Sequence, residues 1–204
     1  MMRKPFQIIV ATVSILLTGC AGQTMPEITS YAVAMYGMND TTANTEPAFS
    51  KILKVSIPES SSAIMSRDIL YQGEDYALNA YAYSRWSDTP NQMLESLFIS
   101  SIRKSNVFSS VLPVSSRGRG DYILESTLYE FQQQIKPGNK SEAKIKILFD
   151  LINKKNGAVV ASKEISASEP AVSVDVKGGV GALNKASITL AGKLNEWLHS
   201  LNIQ

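Results

Sequence analysis

The sequence has very little of the two side chains that most often build metal and redox sites: its 204 residues include one cysteine and one histidine. A lone cysteine cannot close a disulfide within the chain, and a lone histidine excludes a His-rich metal centre. Long apolar runs are also scarce, since the one prominent run lies in the N-terminal leader. These absences argue against a multi-span membrane protein, and we expect no metal and no cofactor.

Neither sign of charge is in marked excess. The chain has 20 basic and 18 acidic residues, and two of the basic ones, Arg3 and Lys4, lie in the leader. Without the leader the formal charges balance at 18 of each sign. A uniformly basic surface of the kind that binds nucleic acid is therefore unsupported, and we predict no nucleic-acid partner. A hydrophobic fraction of 44% and this length suit one globular domain.

The first segment, residues 1–19, is typical of a targeting peptide. A short basic start is followed by an apolar run over residues 6–17, and the segment ends in the small residues Thr18 and Gly19. Leu17-Thr18-Gly19-Cys20 resembles the bacterial lipobox, in which the leader is cleaved between Gly19 and Cys20. The alternatives are an ordinary secretory signal with a chance cysteine, or a single transmembrane helix, for which the run is short.

The lipobox resemblance implies that the thiol of Cys20 receives a diacylglycerol and that its new amine is acylated, with palmitate as a typical chain. Several acyl chains hold a protein firmly on a bilayer, whereas one gives marginal anchoring. Ala21 stands where retention in the inner membrane usually uses aspartate, so the resemblance points to the outer membrane. We predict a signal peptide over residues 1–19, a lipidated cysteine and tether over 20–28, and one domain over 29–204.

Alternating apolar residues predict a series of strands in the mature chain. The predicted strands cover residues 29–36, 49–57, 67–72, 78–86, 121–134, 142–153 and 158–167. In the first long strand, Ile123, Tyr129 and Phe131 are expected on one face. The dipeptide Asn156-Gly157 predicts a type I′ turn, and residues 136–139 predict another hairpin turn.

Two segments have the periodicity of amphipathic helices. The first begins with Thr89 as its cap and Pro90 at the first helical position, and Gln92 would complete a capping box. The second follows Gly178-Gly179. Their apolar stripes are Leu94, Leu97, Phe98 and Ile102, and Leu183, Leu190, Leu194, Trp197, Leu198 and Leu201. The order strands, helix, strands, helix predicts an α+β fold, with a mainly antiparallel sheet and both helices on one face.

No catalytic set emerges from the sequence. His199 lies in the predicted last helical turn, where a cation complements the helix dipole, and no triad partner can be inferred. The glycines at 178, 179 and 181 lack the Lys-Ser/Thr of a phosphate-binding loop and favour the start of a helix. Arg119-Gly120-Asp121 spells an adhesion tripeptide that also recurs by chance. Several carboxylates could pair in space: Asp68, Glu74, Asp75, Asp121, Glu125 and Asp150.

An aromatic cluster is the best candidate for a binding site. It contains Tyr71, Tyr76, Tyr81, Tyr83, Arg85 and Trp86. Tyrosine, tryptophan and arginine are enriched at binding hot spots, so Tyr81, Tyr83, Arg85 and Trp86 are predicted to contact a partner. Two structural alternatives stay open: Trp86 could fill the core beneath the first helix, and Arg85 could pair with a local carboxylate.

The order of several short motifs resembles the ABC-type transport auxiliary lipoprotein (PqiC-like) family. Members have an Arg-Trp before a Pro-capped helix, a Phe after it, and then an Asp-Tyr-x-Leu strand. The matching residues are Tyr83-Ser84-Arg85-Trp86, Pro90, Met93-Leu94, Leu97, Ile102, Ser105-Asn106-Val107-Phe108, Asp121-Tyr122-Ile123-Leu124 and Leu128-Tyr129-Glu130-Phe131. The resemblance spans roughly residues 30–201, and the lipobox agrees with it.

The resemblance implies a non-catalytic, lipid-anchored protein of the bacterial outer membrane that faces the periplasm. Its partners would be an inner-membrane ABC transporter or permease and a lipid-binding MCE-type protein, and copies of the chain could form a ring. Two other functions remain open from the residues: an adaptor or activator for cell-wall synthesis or another envelope-spanning complex, and, less well supported, a carboxylate-dependent envelope hydrolase.

Overall fold

A computed structural model describes residues 26–33 and 46–203. They form one sheet and two helices in the order strands, helix, strands, helix. The strands are β1 (Thr29–Tyr31), β2 (Phe49–Val55), β3 (Glu59–Ser60), β4 (Asp68–Gln72), β5 (Leu78–Trp86), β6 (Phe108–Pro113), β7 (Tyr122–Lys136), β8 (Lys140–Asn153) and β9 (Val159–Pro170). The helices are α1 (Pro90–Ser105) and α2 (Val176–His199). The predicted α+β class is confirmed.

The three longest strands form an antiparallel meander, in which β8 lies between β7 and β9. Side chains on one face of β8, among them Ile145, Ile147 and Phe149, are buried, while their neighbours along the strand are more exposed. This period of two is what a sheet covered on one side requires. The predicted meander is therefore confirmed, and α2 packs across its covered face.

The predicted facing of side chains along β7 is wrong. A bulge between Leu128 and Glu130 shifts the pairing with β8 by one residue. Before the bulge the buried side chains are at even positions, such as Leu124, and after it Phe131 is buried. Ile123 and Tyr129 therefore lie on the opposite face from Phe131, because an extra residue in a strand reverses the alternation.

The other edge of β7 is shared by three short strands. From one end to the other, β2, β3 and β4 pair with it in parallel. Next to these, β6 pairs in parallel with β2, and β5 pairs antiparallel with β4 and parallel with β1. The sheet is thus mixed, and the short strands add parallel pairs to its antiparallel centre. Neither β3 nor β6 was predicted, since neither has a clear local pattern.

The sheet has two distinct ends. One transverse row of paired residues joins Leu78, Gln72, Gln134, Glu142 and Pro170 across five strands. We call the end beyond this row, with the connections 73–77, 137–139 and 171–175, the tip end. The base end comprises residues 119–122 and 153–155 and the start of β2, where Leu53, Tyr122 and Asn153 pair.

Helix α1 begins with the signals expected from the sequence. Thr89 accepts a hydrogen bond from the N–H of Gln92 at 3.5 Å, and Pro90 is the first helical residue. The other half of the capping box differs from the prediction, because the N–H of Thr89 donates to Asp88 at 2.7 Å. The core lies between the helices and the meander, where Phe98 packs edge-on against Phe149 with ring centroids 5.3 Å apart.

The second hairpin turn is not of type I′. Type I′ requires a positive φ at both central residues. Gly157 has φ 72°, but Asn156 is not among the residues with positive φ. The Asn156 side chain instead accepts a hydrogen bond from the N–H of Ala158 at 3.0 Å, and Gly157 donates to the carbonyl of Asn153. The connection is a longer loop that uses one left-handed residue.

The signal peptide, the cleavage site between Gly19 and Cys20, and most of the tether lie outside the described residues, as does the end of the first predicted strand. Within the described part of the chain, neither helix has the length and hydropathy needed to cross a membrane.

Candidate partner-binding surface

The aromatic cluster centres on β5, whose pairing with β4 is irregular. Arg85 lies opposite Asp68, but Ala80 lies opposite Leu70, so residues 81–84 face a single residue of β4. Exposure along β5 therefore does not alternate. Tyr83 is 57% exposed and Arg85 is also exposed, whereas Tyr81 is half-buried. The structure thus separates the four predicted residues into surface and interior positions.

Arg85 presents its guanidinium to solvent. Although Asp68 is its cross-strand neighbour, Asp68 accepts a hydrogen bond from Ser66 at 3.0 Å, and Arg85 forms no ion pair with any described residue. The adjacent structural role belongs to Arg67, whose Nε donates to the carbonyl of Trp86 at 2.9 Å. Within the described chain, Arg85 is therefore not held by the local carboxylate that the sequence offered as an alternative.

Trp86 lies in the core. Its side chain is 0% exposed, and its ring centroid is 5.6 Å from that of Phe131. The sequence left two roles open for Trp86, partner contact and filling the core, and the structure shows the second. A side chain with no exposed area does not contact a partner directly. Burial of a tryptophan contributes several kcal/mol to folding, about 3–5 by comparison with truncations to alanine. Trp86 thus supports the strand that carries Tyr83 and Arg85.

Tyr81 belongs to a polar network between the sheet and α2. Its hydroxyl donates to Oε1 of Gln133 at 2.7 Å and lies 3.1 Å from the carbonyl oxygen of Val174. Its ring packs against Tyr71 with centroids 4.7 Å apart. The pKa of Tyr81 is raised to about 12, mainly because burial opposes the charged phenolate and in smaller part because of the charges that Tyr71 and Asp175 can carry. The neutral phenol is thus the form that the fold stabilises.

Gln133 is the centre of this network and is 0% exposed. Its Nε2 donates to Oγ of Ser141 at 2.8 Å and to the carbonyl of Ser173 at 3.4 Å, and Ser141 also donates to that carbonyl. A buried amide is tolerated where its donors and acceptor have partners. The sequence does not mark Gln133 as part of a site, because a glutamine at this position looks like any polar residue of a strand.

The start of α2 is fitted closely to this network. The carboxylate of Asp175 caps the helix by accepting from the N–H of Gly178 at 2.9 Å, and Oγ of Ser173 donates to it at 2.7 Å. The hydrogen bond from Gly178 is the main reason that the pKa of Asp175 is lowered, and the one from Ser173 adds to it. A Cβ at Gly179 would stand 2.2 Å from Oε1 of Gln133. The helix therefore begins at Val176, two residues before the glycines that the sequence places at its start, and close packing explains Gly178 and Gly179 in its first turn.

Two further apolar side chains extend the exposed region along β5. Tyr76 is 86% exposed in the connection before the strand, and Leu78 at the strand's start is 42% exposed. We define the β5 surface as Tyr76, Leu78, Tyr83 and Arg85. In the described chain, β1 covers the outer edge of β5 only at residues 84–86, so residues 78–83 present an unpaired strand edge. Exposed aromatic and arginine side chains beside a free edge are features of protein-binding surfaces.

The other candidate residues have structural positions. His199 ends α2, with Nε2 3.1 Å from the carbonyl of Ser105 at the end of α1. Asp121 of the adhesion tripeptide accepts from the N–H of Ile52 at 2.8 Å and so joins β2 to β7. Glu125 and Asp150 lie opposite each other on the open face of the sheet. Among the described residues, no three His, Cys, Asp or Glu side chains are grouped as metal ligands.

The fold and this surface define a class: a small α+β domain whose prominent surface feature is a patch suited to protein contact. The sequence identifies the family to which the chain belongs within that class. A model of the ABC-type transport auxiliary lipoprotein component family matches residues 36–194, and the chain belongs to that family. It is therefore a lipoprotein of an envelope transport system of the ABC type.

Solved structures support the fold. A crystal structure of a Xanthomonas campestris protein of the DUF330 family has a TM-score of 0.73 and 23% identity, covering 83% of this chain and 93% of the other. A crystal structure of an uncharacterized protein has a TM-score of 0.64 and 11% identity, covering 84% and 99%. No curated protein matches the chain in sequence.

Proposed function

We propose that the protein is a non-catalytic, lipid-anchored component of an envelope lipid transport system of the MCE type. In this proposal Cys20 carries the acyl chains that hold the protein on the periplasmic side of the outer membrane. The folded domain docks the conduit that an inner-membrane ABC transporter or permease and an MCE-type lipid-binding protein build. The match of the family model to residues 36–194 carries the proposal, because the family is a transport auxiliary component.

The position of the N-terminal strand supports a short tether. Thr29 pairs with Ser84, and residues 26–30 are exposed, so the chain leaves the domain from the outer side of β1. Eight residues lie between Cys20 and Thr29, and the nine residue steps that join them span at most about 30 Å when fully extended. An anchor at Cys20 would thus keep the domain close to the membrane and leave most of its surface accessible.

The β5 surface is the proposed contact for the transport partners. Tyr83 and Arg85 are exposed on it, and the buried Trp86 and the Gln133 network hold the strand that carries them. A patch that is fixed before binding loses little conformational entropy when a partner arrives. An aromatic and arginine-containing patch of this kind favours protein contact over catalysis.

A pull-down from envelopes solubilised with their lipids preserved tests the proposal. The tagged wild-type protein is expected to recover an MCE-type protein and its permease. The Tyr83→Ala/Arg85→Ala variant is expected to recover less of both, while Lys163→Ala, an exposed change on β9, leaves recovery unchanged. Recovery of neither protein by the wild type, with normal outer-membrane lipid asymmetry in a deletion strain, would contradict the proposal. Recovery of a peptidoglycan synthase instead would favour the adaptor function.

Self-association into a ring is part of the proposal. Among the described residues nothing pairs with the outer edge of β5 at 78–83, which can accept a strand or loop from a second copy, and exposed edges of this kind are common association sites. Analytical ultracentrifugation of the purified protein in detergent is expected to show a species larger than a dimer. A monomer over the whole accessible concentration range would contradict the ring and leave the docking role to a single copy.

A further inference from the structure

The base end of the sheet carries an open groove of about 830 Å³ whose rim is basic. Four cationic side chains line it: Lys51, Arg119, Lys154 and Lys155. None of the four side chains makes a hydrogen bond or ion pair with another described residue, and the one carboxylate in the lining is that of Asp121. In a chain whose mature charges balance, this concentration of unpaired cations is a local excess, and it attracts an anionic ligand.

Hydrogen bonds fix the loop that carries Arg119. The ammonium of Lys54, a side chain only 7% exposed, donates to the carbonyls of Val114 at 3.2 Å and Ser116 at 2.7 Å. The N–H of Gly118 donates to Oγ of Ser116 at 3.2 Å. These bonds hold the loop over residues 113–120 against β2. The main chain that carries Arg119 therefore has a fixed position at the groove.

The opposite wall of the groove is fixed to the same strand. The N–H of Lys154 donates to the carbonyl of Asp121 at 2.9 Å, and the N–H of Lys155 donates to the side chain of Asn153 at 2.8 Å. Asp121 in turn accepts from the N–H of Ile52 through its carboxylate. The two cation-bearing walls are therefore joined by main-chain hydrogen bonds, and the groove is preformed.

The groove lies at the end of the domain that is farther from the tether. The pairings of Thr29 with Ser84, of Asp68 with Arg85, and of β4 with β7 place Thr29 near the level of Glu130. From that level to Tyr122 is about 26 Å at 3.3 Å per strand residue. Since β1 runs toward the base end, residues 26–28 lead away from the groove. With the lipid anchor proposed at Cys20, this direction favours a membrane on the side away from the groove.

The chemistry of the lining favours a hydrophilic polyanion. Tyr122 is the one large apolar side chain among the residues that line the groove, and it is 3% exposed. An amphiphilic lipid would need an apolar wall for its acyl chains, and this lining offers lysine, arginine and asparagine instead. The four cations come from β2, a loop and a turn, so their charges are spread out. This arrangement matches an extended segment with several charges better than it matches a single phosphate group.

We infer that the basic groove binds an acidic, extended segment of a protein on the transporter side of the envelope. The inference rests on the proposed function for the identity of that protein and adds where on the domain it docks. On this basis the domain has two contacts, the β5 surface and the groove, and the groove faces away from the anchoring membrane. The four cations pair with the carboxylates of the acidic segment. The negative charge of Asp121 repels that segment from the junction of the strands.

Binding of a labelled twelve-residue polyglutamate peptide to the full-length lipidated protein in nonionic detergent tests the inference. Fluorescence anisotropy is expected to show binding that weakens with salt, and Lys154→Glu/Lys155→Glu is expected to weaken it about tenfold or more with a smaller salt slope. Lys140→Glu/Lys163→Glu changes the net charge equally at sites outside the groove and is expected to have little effect. Equal weakening by both pairs, or no binding by the wild type, overturns the inference.

Two further experiments distinguish an acidic segment from phosphate as the ligand, and the inference from the proposed function. If inorganic phosphate displaces the peptide far better than chloride at matched ionic strength, the groove is a phosphate site and the acidic-segment inference is overturned. In the envelope pull-down, loss of the partner with Lys154→Glu/Lys155→Glu but not with the control pair supports the inference. Equal capture by both variants overturns it and leaves the proposed function standing. If even the wild type captures no transport protein and a deletion strain keeps normal lipid asymmetry, the proposed function fails. The peptide titration alone then decides whether the groove binds an acidic segment.

Discussion

Gly179→Ala should destabilise the protein, although alanine is normally the better residue in a helix. The new Cβ would stand 2.2 Å from Oε1 and 2.7 Å from Cδ of Gln133, distances that a real Cβ does not tolerate. Gln133 cannot turn aside cheaply, because its amide is fully buried and bonded to Tyr81 and Ser141. Either the helix start moves away from the sheet or the amide loses its partners.

The magnitude follows from three contributions. Overpacking costs about 1–3 kcal/mol, and leaving a buried polar group unsatisfied costs about 1–3 kcal/mol. Greater helix propensity offsets at most about 1 kcal/mol. With mid-range values the expected net loss is about 3 kcal/mol, which lowers the urea midpoint by about 1.5 M for an m-value of about 2 kcal/mol/M.

Urea unfolding followed by circular dichroism measures this loss, and the same helix provides matched controls. A Cβ at Gly181 or Gly192 would meet nothing within 4 Å, so Gly181→Ala and Gly192→Ala should leave stability unchanged or raise it by up to about 1 kcal/mol. The Gln133→Ala background provides a second control, in which Gly179→Ala should cost much less. A stabilising Gly179→Ala, or an equal cost in both backgrounds, would refute the steric reasoning.

Three other changes test the surface, the network and the anchor. Arg85→Ala should weaken partner capture while the melting temperature stays nearly constant, because the side chain is exposed and unpaired in the described chain; a lower melting temperature would give Arg85 a structural role. The folded-state pKa of Tyr81, about 12 against 10.0 when unfolded, contributes stability that is complete below pH 10 and is lost as the pH rises toward 12, mainly because burial opposes the charge. The urea midpoint should therefore fall across that range more steeply in the wild type than in Tyr81→Phe, and equal slopes would count against it. Cys20→Ala should leave an unprocessed precursor on immunoblots of fractionated cells, and globomycin-insensitive processing of the wild type would contradict lipidation.

Elements with local signals could be predicted from the sequence. Helix α1 has a capping residue, a proline at its first position and a cationic last turn, all within one stretch of chain. The three long strands alternate over enough residues that one irregularity does not hide the pattern. These signals are local, so they survive without any knowledge of the neighbours.

Elements that depend on neighbours were missed or misplaced. Strand β3 has two residues and exists only because Glu59 and Ser60 lie beside β7. The bulge near Tyr129 reverses the facing of β7, and it has no marker such as glycine in the sequence. Asn156-Gly157 was assigned a two-residue turn, but the chain forms a longer loop there. In each case tertiary pairing, which no short pattern encodes, decides the geometry.

The aromatic cluster shows the same difference between what local sequence reveals and what tertiary packing decides. Composition identified β5 as unusual, yet the side chains that the sequence grouped together have different roles. Trp86 fills the core, Tyr81 is bonded to Gln133, and Tyr83 and Arg85 remain at the surface. The residues that hold the strand, Gln133 and Gly179, gave no signal because a buried amide and the glycine it packs against are recognisable only as a pair.

The geometry of the domain gives the proposed docking role a direction. Residues 26–28 lead into β1, beside the β5 surface, and the basic groove lies at the other end of the sheet. A protein held by Cys20 would therefore offer one contact beside its anchor and another facing away from the membrane. Because β7 runs from the groove to the Gln133 network, one rigid strand fixes the spacing of the two contacts. A partner that spans the periplasm and engages both would meet a domain of set orientation, which a lipid anchor alone cannot provide.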